Sequence, residues 1–185
     1  MERVAMEIWT IGHSTHGIIE FVAMLQAHHI DALADVRRFP GSKRCPHFNQ
    51  EQLSTYLARE GIEYVHFAEL GGRRRAQSDS PNSAWRNEVF RGYADYMMTE
   101  PFQLGTQRLV ELAARKRTAI MCAEALWWQC HRSLIADFLK AHNAIVQHIL
   151  SATKTQEHPF TSAARIVDKK LSYSAAASPM EFQFD

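Results

Sequence analysis

Apolar and polar positions along the chain alternate in a way that predicts strands separated by helices. Short apolar runs predict strands at residues 4–11, 30–37, 64–67, 118–124 and 144–150. Apolar residues at helical spacing predict a helix beginning near Ile18 and others at residues 50–60, 84–98, 103–116 and 130–142. Pro101 is expected between the third and fourth of these helices, because proline disrupts a helix interior.

This alternation determines the predicted fold class. Strands that alternate with helices over roughly 150 residues favour parallel strands joined by right-handed crossovers. We therefore predict one α/β domain at residues 1–150, with a mostly parallel, open, doubly wound, Rossmann-like sheet of about five strands flanked by helices. Residues 151–185 show no such pattern and are predicted to be a partly flexible C-terminal extension, including the Ser/Ala-rich stretch at 172–178. The polar segment 73–83 is predicted to be a mobile loop.

Composition narrows the classes of protein that fit. The formal net charge is +1, so any attraction for an anion must be local rather than a property of the whole surface. Three cysteines do not suggest the disulfide framework of a secreted protein. The first residues lack the pattern of a signal peptide, and no apolar segment approaches the roughly 20 residues that a membrane span needs. These features predict a cytoplasmic protein without a membrane partner.

Polar side chains follow four of the predicted strands, where each strand ends. They are His13 and Ser14 after the first strand, Asp35 and Arg37 after the second, Glu69 with Gly71 and Gly72 after the third, and Cys122 and Glu124 after the fourth. In parallel sheets, ligands bind outside the carboxyl ends of the strands, so these residues predict one shared pocket. The alternative is that the same residue types only cap helices and form turns.

Cys130, His131 and Arg132 open the predicted helix at 130–142. At 3.6 residues per turn, His131 falls on the side of this helix that is expected to face the carboxyl edge of the sheet. The start of a helix favours a thiolate, so Cys130 has better electrostatics than Cys122, which is more typical of a structural residue. Arg132 is expected to offer a forked donor to an anion. The alternative is a core histidine beside an inert, buried cysteine.

Glu124 would share a strand face with Cys122 if the fourth strand extended that far, which makes it a candidate general acid or base. The candidate catalytic residues are Cys130, His131, Glu124, Cys122, His13 and Asp35. The candidate substrate-binding residues are Arg37, Arg132, Ser14, Ser42, Gly71 and Gly72. The sequence assigns no metal ligand, no cofactor and no oligomeric state.

Five ordered motifs within residues 8–150 also carry a resemblance to a known family. They are residues 10–14 (TIGHS), 35–37 (DVR) with Pro40 and Ser42, 70–72 (LGG), 122–124 (CAE) and 130–132 (CHR). In these motifs the chain resembles the domain of unknown function 488 family. The resemblance implies a compact bacterial or archaeal α/β domain with a polar pocket. It also implies that Phe90, Tyr93 and Tyr96 form a family-like aromatic segment and that His148 is a family histidine, and it implies no reaction.

The residues alone are compatible with three functions. The first is an enzyme that acts on a small anionic or nucleotide-like substrate, held by Arg37 and Arg132. The chain lacks a P-loop and a Gly-rich dinucleotide motif. It also lacks a Cys-x5-Arg loop, because nine residues lie between Cys122 and Arg132. The commonest nucleotide and phosphatase chemistries are therefore disfavoured.

The second function is nucleic-acid binding or chemistry on a base. Arg37, Arg38, Lys43 and Arg44 form one basic cluster, residues 73–75 form another, and Trp127 and Trp128 could stack on a base. The third function is a metal site. The soft ligands available to it are Cys45, His47, Cys122, Cys130, His131 and His13. Their spacing matches no standard zinc pattern.

Overall fold

The computed structural model describes residues 6–175, in which strands and helices alternate along the chain. The strands of the main sheet are β1 (Glu7–Gly12), β2 (Ala32–Asp35), β3 (Glu63–His66), β4 (Thr118–Cys122), β5 (Ile145–Ile149) and β6 (Thr155–Glu157). The helices are α1 (Ile18–Ala27), α2 (Gln50–Arg59), α3 (Glu88–Met97), α4 (Glu100–Ala113) and α5 (Arg132–Ala141). A separate hairpin consists of β7 (Arg165–Val167) and β8 (Lys170–Ser172).

The six strands lie in the order β3-β2-β4-β1-β5-β6. The first five run parallel to one another, and β6 runs antiparallel to β5. The carboxyl ends of the central strands are in register, since Gly12 pairs with Cys122 and Asp35 pairs with Met121. The predicted α/β fold with a mostly parallel, doubly wound sheet is therefore confirmed, with one more strand than expected.

The core lies on both faces of the sheet, because successive strand residues point to opposite sides. On one face, Ile8 and Ile120 pack in a cluster with residues of α3, α4 and α5. On the other face, Ile11 and Met121 pack with residues of α1 and α2. Helices cover both faces, which explains why the central strands read as continuous apolar runs. No helix within residues 6–175 is long and apolar enough to span a membrane.

Several elements begin or end at other residues than predicted. Strand β4 ends at Cys122, and α5 begins at Arg132. Helix α3 begins only at Glu88, because the Asn87 side chain accepts hydrogen bonds from the first backbone N–H groups of the helix. Pro101 lies in the first turn of α4 rather than between two helices, a position where its missing N–H costs nothing.

Part of the chain beyond residue 150 packs on the domain. Strand β6 extends the sheet, and the Tyr173 hydroxyl donates a hydrogen bond of 2.8 Å to the buried Asp137 carboxylate of α5. The backbone carbonyl of Tyr173 also accepts a hydrogen bond from Ala84. Residues 1–5 and 176–185 lie outside the described residues, and so does the end of the predicted Ser/Ala-rich tail. The boundary at residue 150 and the flexibility beyond it stay predictions.

A chain of buried hydrogen bonds connects this extension to the centre of the sheet. The Thr10 hydroxyl lies 2.6 Å from Nδ1 of His148, whose Nε2 lies 2.9 Å from Nδ1 of His158. Nε2 of His158 lies 2.9 Å from the Asp137 carboxylate. Because a carboxylate only accepts, each imidazole donates through Nε2 and accepts through Nδ1. Trp127 stacks on His148 with ring centroids 4.5 Å apart.

Candidate active site at the carboxyl edge of the sheet

A cavity of about 410 Å³, here called the first cavity, opens at the carboxyl ends of β1, β2 and β4. Parallel strands bring residues that are distant in sequence to this edge. The predicted site residues that line the first cavity are His13, Arg37, Ser42, Gly72, Cys122, Glu124, Cys130 and His131. The other predicted site residues, Asp35, Ser14, Gly71 and Arg132, do not line it.

Asp35 lies behind the cavity and holds Arg37 in place. Its carboxylate accepts hydrogen bonds from Nε of Arg37 at 2.9 Å and from Nη2 at 2.6 Å. It also accepts the backbone N–H of Arg37 at 3.0 Å and the Tyr64 hydroxyl at 2.5 Å. Asp35 is fully buried, and these donors occupy both of its oxygens. Its position is that of a residue that orients Arg37, rather than of a base open to a substrate.

His13 contributes a neutral imidazole to the cavity wall. Its Nδ1 donates to the Ser14 carbonyl at 3.0 Å, so Nε2 is free to accept from Nη1 of Arg37 at 3.3 Å. Burial, together with the charge of Arg37, lowers the pKa of His13 to about 4. The ring stacks on Phe48 with centroids 4.3 Å apart. Ser14 therefore acts through its backbone carbonyl, which fixes the tautomer of His13.

His131 is held at the end of β2. Its Nε2 donates to the Val36 carbonyl at 3.0 Å, which leaves Nδ1 to accept from the Cys130 thiol at 3.4 Å. Burial lowers the pKa of His131 to about 4, so the imidazole is neutral near pH 7. A β-carbon on Gly72 would lie 2.8 Å from Nδ1, so only glycine allows the chain to pass so close to this ring.

Gly71 has a different role from its neighbour. A β-carbon at Gly71 would lie 2.6 Å from the Cα of Arg38, outside the cavity. The glycine pair therefore lets two segments approach each other closely, and it does not form a phosphate-binding loop. Ser42 lines the cavity mouth, where its hydroxyl accepts a 3.0 Å hydrogen bond from the backbone of Cys45.

The two cysteines at the cavity differ in acidity. Burial raises the pKa of the Cys122 thiol, but the neighbouring Cys130 thiol and the charge of Arg132 outweigh burial, and the pKa lies below its ordinary value. Burial raises the pKa of the Cys130 thiol well above its ordinary value, and the adjacent Cys122 raises it further. The order expected from the sequence is reversed because burial and the neighbouring Cys122 outweigh the favourable effect that the start of α5 has on Cys130.

Arg132 lies beneath the loop that follows β4 and does not face the cavity. It is 2% exposed, and its Nη2 donates to the carbonyls of Glu124 at 3.0 Å and Ala125 at 2.8 Å. Within residues 6–175, its Nε and Nη1 have no hydrogen-bond partner. The structure thus places this guanidinium under the loop, where its charge favours the Cys122 thiolate, and not where it could hold an incoming anion.

Glu124 lies outside β4, which ends at Cys122, so the two residues do not share a strand face. Its side chain is exposed at the rim of the first cavity, where it can exchange protons with water. The Cys122 thiol donates to the backbone carbonyl of Glu124 at 3.7 Å. The main chain of Glu124 therefore contacts the Cys122 thiol, while its carboxylate lies at the entrance of the first cavity.

Residues that were not among the predicted site residues also line the first cavity. They are Arg38, Phe39, Arg73, Val89, Phe90, Tyr93, Gln129, Gly41 and Ala123. Phe39 is 67% exposed, and it follows two arginines in a loop at the end of β2. An aromatic residue within a basic loop at a strand end is the sequence signal that would have identified it. Trp127, in contrast, is buried against His148 and is not free to stack on a base.

The soft ligands named from the sequence are used in other ways. His47 Nε2 lies 3.1 Å from the His16 carbonyl, and the Cys45 thiol lies 4.0 Å from the Ser14 carbonyl. In the part of the chain that the structure describes, no group of three or more His, Cys, Asp or Glu side chains is arranged to hold a metal ion.

Comparison with known proteins identifies the family. No curated protein and no solved structure matches the chain. A family model described as "Domain of unknown function DUF488" matches residues 17–139, about two thirds of the chain. The match includes Arg37, Gly72, Cys122, Cys130 and His131, which all line the first cavity. The match covers four of the five ordered motifs, all but residues 10–14, and the chain therefore belongs to the DUF488 family, as these motifs predict.

Proposed function

We propose that the protein is an enzyme that uses the Cys122 thiolate as a nucleophile toward a small anionic or nucleotide-like substrate in the first cavity. One observation carries this proposal: a buried thiol of lowered pKa lies on a cavity that three arginines also line. The thiolate is the reactive form of cysteine, and perturbed pKa values in a cavity are typical of functional sites. The assignment to Cys122 rather than Cys130 is supported by the Cys130 proton, which has Nδ1 of His131 as its partner and can be shared with a Cys122 thiolate beside it.

The arginines of the cavity supply the binding site for the anion. Arg37 is fixed by Asp35, so its guanidinium does not have to reorganise when a substrate binds. Arg38 and Arg73 line the same cavity and are exposed at its mouth. A substrate anion held by these groups would present its reacting atom to Cys122 at the base of the cavity.

The Cys130 thiol and the His131 imidazole can stabilise or release the negative charge on Cys122 by moving one hydrogen bond. The Cys130 proton can be donated either to the Cys122 thiolate or to Nδ1 of His131. As Cys122 attacks, its sulfur forms a bond to the electrophilic atom, and the leaving group departs with its bonding electron pair. Cys122 then no longer carries a negative charge, and the Cys130 thiol donates its hydrogen bond to Nδ1 of His131 instead. The leaving group takes its proton from water at the cavity mouth. The Glu124 carboxylate at the rim would then act as general base for a water molecule that hydrolyses the Cys122 adduct, which releases the bound group and restores the thiolate.

Alkylation by iodoacetamide, followed residue by residue with mass spectrometry across pH, tests this assignment. We expect Cys122 to react at least about tenfold faster than Cys130 at pH 7, because only the thiolate reacts. Cys130→Ala should raise the pKa of Cys122 by removing its hydrogen-bond donor, whereas Cys45→Ser should leave it unchanged. Faster reaction at Cys130 in the folded protein would contradict the assignment.

A panel of nucleotides and small phosphate- or carboxylate-bearing compounds tests the activity itself. Cys122→Ser should abolish the turnover of any compound that the wild-type protein converts, and Cys45→Ser should retain it. If Cys122→Ser kept full turnover, the thiol mechanism would be wrong.

We also propose a cytoplasmic location. Cys45, Cys122 and Cys130 are all free thiols, and free thiols persist in reducing compartments. Cell fractionation followed by detection of the tagged protein tests this, and recovery in an oxidising compartment would contradict it.

A further inference from the structure

A second cavity, of about 560 Å³, adjoins the first. Its lining includes the side chains of Arg74, Arg75 and Arg91 and the hydroxyl-bearing residues Ser78 and Ser80. Val89 lines both cavities, so the two are neighbours along one surface. Each cavity has the size of a site for a small ligand, and the pair together suits a longer one.

The three consecutive arginines at residues 73–75, here called the arginine ridge, run between the two cavities. Arg73 lines the first cavity, whereas Arg74 and Arg75 line the second. The ridge is closely packed, since a β-carbon at Gly92 of α3 would lie 2.4 Å from the Arg74 carbonyl. The guanidinium of Arg74 lies 3.6 Å from the centre of the Tyr96 ring.

The segment after the ridge is tied to α3 by Asp95. This carboxylate accepts hydrogen bonds from the backbone N–H of Gln77 at 2.8 Å and from the Asn82 side chain at 2.8 Å, and also from the Ser80 hydroxyl. The polar loop at 73–83 is therefore anchored at its centre, and its arginines are presented from a defined backbone.

The charges of this surface are only partly neutralised by the protein, although Glu88 lines the second cavity and Glu124 the first. Within residues 6–175, Arg38, Arg73 and Arg75 form no ion pair, and Arg91 has only the exposed Glu88, at 3.6 Å. Nε of Arg91 is buried without a hydrogen-bond partner among those residues. Elsewhere, Arg108, Lys116 and Arg117 are paired with Glu69, Glu63 and Glu7. Arginines without an acidic partner lie side by side at this edge of a protein whose net charge is only +1.

Aromatic side chains accompany these arginines in the first cavity. Phe39 is 67% exposed beside Arg38, whose guanidinium lies 5.5 Å from the ring centre, and the half-buried Phe90 lines the wall. Unpaired bases stack on such side chains, while their phosphates bind the adjacent arginines. In a base-paired duplex the faces of the bases are stacked on one another, so they cannot stack on Phe39. An isolated inorganic anion would occupy only one of the two cavities. Neither ligand therefore matches the whole surface.

We propose that the ligand of this surface is a single-stranded polynucleotide. Its phosphates follow the arginine ridge from the second cavity to the first, where one base stacks on Phe39 within reach of Cys122. This inference rests on the proposed function for its chemistry, and it names the substrate class of the same site.

Fluorescence anisotropy with a labelled single-stranded oligonucleotide of about ten nucleotides, measured between roughly 50 and 200 mM salt, tests the proposal. Arg75→Gln should weaken binding about fivefold or more, and should reduce the slope of log affinity against log salt by about 0.7. Phe39→Ala should weaken binding by roughly fivefold to a hundredfold. Arg115→Gln, at the exposed end of α4, is the matched control and should bind like the wild-type protein.

Three results would overturn the inference. They are no change in Arg75→Gln relative to Arg115→Gln, tighter binding of duplex than of single strands, and equal competition by a mononucleotide. Cys122→Ser separates this inference from the proposed function, because it should bind the oligonucleotide normally. If binding fails while Cys122 remains the more reactive thiol, only the substrate class is wrong.

Discussion

The main chain at Gly72 lies so close to the imidazole of His131 that a β-carbon there would stand 2.8 Å from Nδ1. The same nitrogen accepts the hydrogen bond from Cys130. The close approach of Gly72 therefore fixes the position of the His131 ring, and with it the hydrogen bond of the Cys130 thiol. A glycine in a motif that resembles a simple turn thus determines the geometry of the candidate site.

Gly72→Ala should displace His131, leave the Cys130 proton to the Cys122 thiolate, and so speed the alkylation of Cys122. We expect a loss of about 1–3 kcal/mol in the free energy of unfolding, which is the usual cost of overpacking. Urea denaturation and the iodoacetamide rate measure the two effects. Gly17→Ala is the control, because nothing lies within 4 Å of a β-carbon at Gly17. An unchanged thiol rate in Gly72→Ala would show that His131 does not position Cys130.

Asp35→Asn should destabilise the protein by about 3–5 kcal/mol, because it leaves the buried Arg37 guanidinium without its counter-charge. Tyr64→Phe removes only one hydrogen bond to the same carboxylate and should cost about 1.5–3 kcal/mol. Urea denaturation at neutral pH compares the two variants. Equal losses would mean that the Asp35–Arg37 pair contributes no more than an ordinary hydrogen bond.

Stability should fall as the pH drops from about 6.5 toward 4. Burial lowers the pKa of both His13 and His131 to about 4, below the ordinary value of 6.5. Between those values the unfolded chain binds more protons than the folded one, so acid favours unfolding. Each histidine can contribute up to about 1.4 kcal/mol per pH unit.

Urea denaturation at a series of pH values measures this slope. His13→Gln should make it shallower by up to the share of one histidine, while the exposed His29, changed to Asn, should have little effect. If the unfolding free energy were flat from pH 6.5 to 4, these imidazoles would not be held neutral in the folded state.

The C-terminal extension should contribute to the stability of the domain through Asp137. Tyr173→Phe removes the hydroxyl that donates to this buried carboxylate and should cost about 1.5–3 kcal/mol, the range for a hydrogen bond to a charged group. Removal of residues 151–185 should cost far more, because it also removes Thr161 and His158 from Asp137. Thermal unfolding of both variants measures this, and a truncated chain as stable as the full one would contradict it.

The order and type of the main elements could be predicted because the central strands are apolar and helices cover both faces. The ends of the elements were harder to predict. The apolar residues of the loop at 123–129 continue the strand pattern, so nothing local indicated that β4 ends at Cys122. Strands β6, β7 and β8 span three residues each, too few for a detectable period.

The location of the site could be predicted from the strand ends, but the partners of its side chains could not. Whether Arg132 faces solvent or the core depends on how the loop at 123–129 folds over it, and a spacing pattern contains no such information. The relative acidity of Cys122 and Cys130 depends on that burial. The sequence predicts Asp35 to be a catalytic residue. That it orients Arg37 can be recognised only from the relative positions of the two side chains.

The imidazole of His158 faces a donor on one side and an acceptor on the other, since His148 donates to it and Asp137 accepts from it. A replacement at this position must offer one lone pair and one polar hydrogen in opposite directions. That condition rules out every apolar side chain, the basic ones that only donate, and the ionised acidic ones that only accept. The residue types that position 158 tolerates are therefore restricted by a chain of hydrogen bonds that begins at Thr10, in the middle of the sheet.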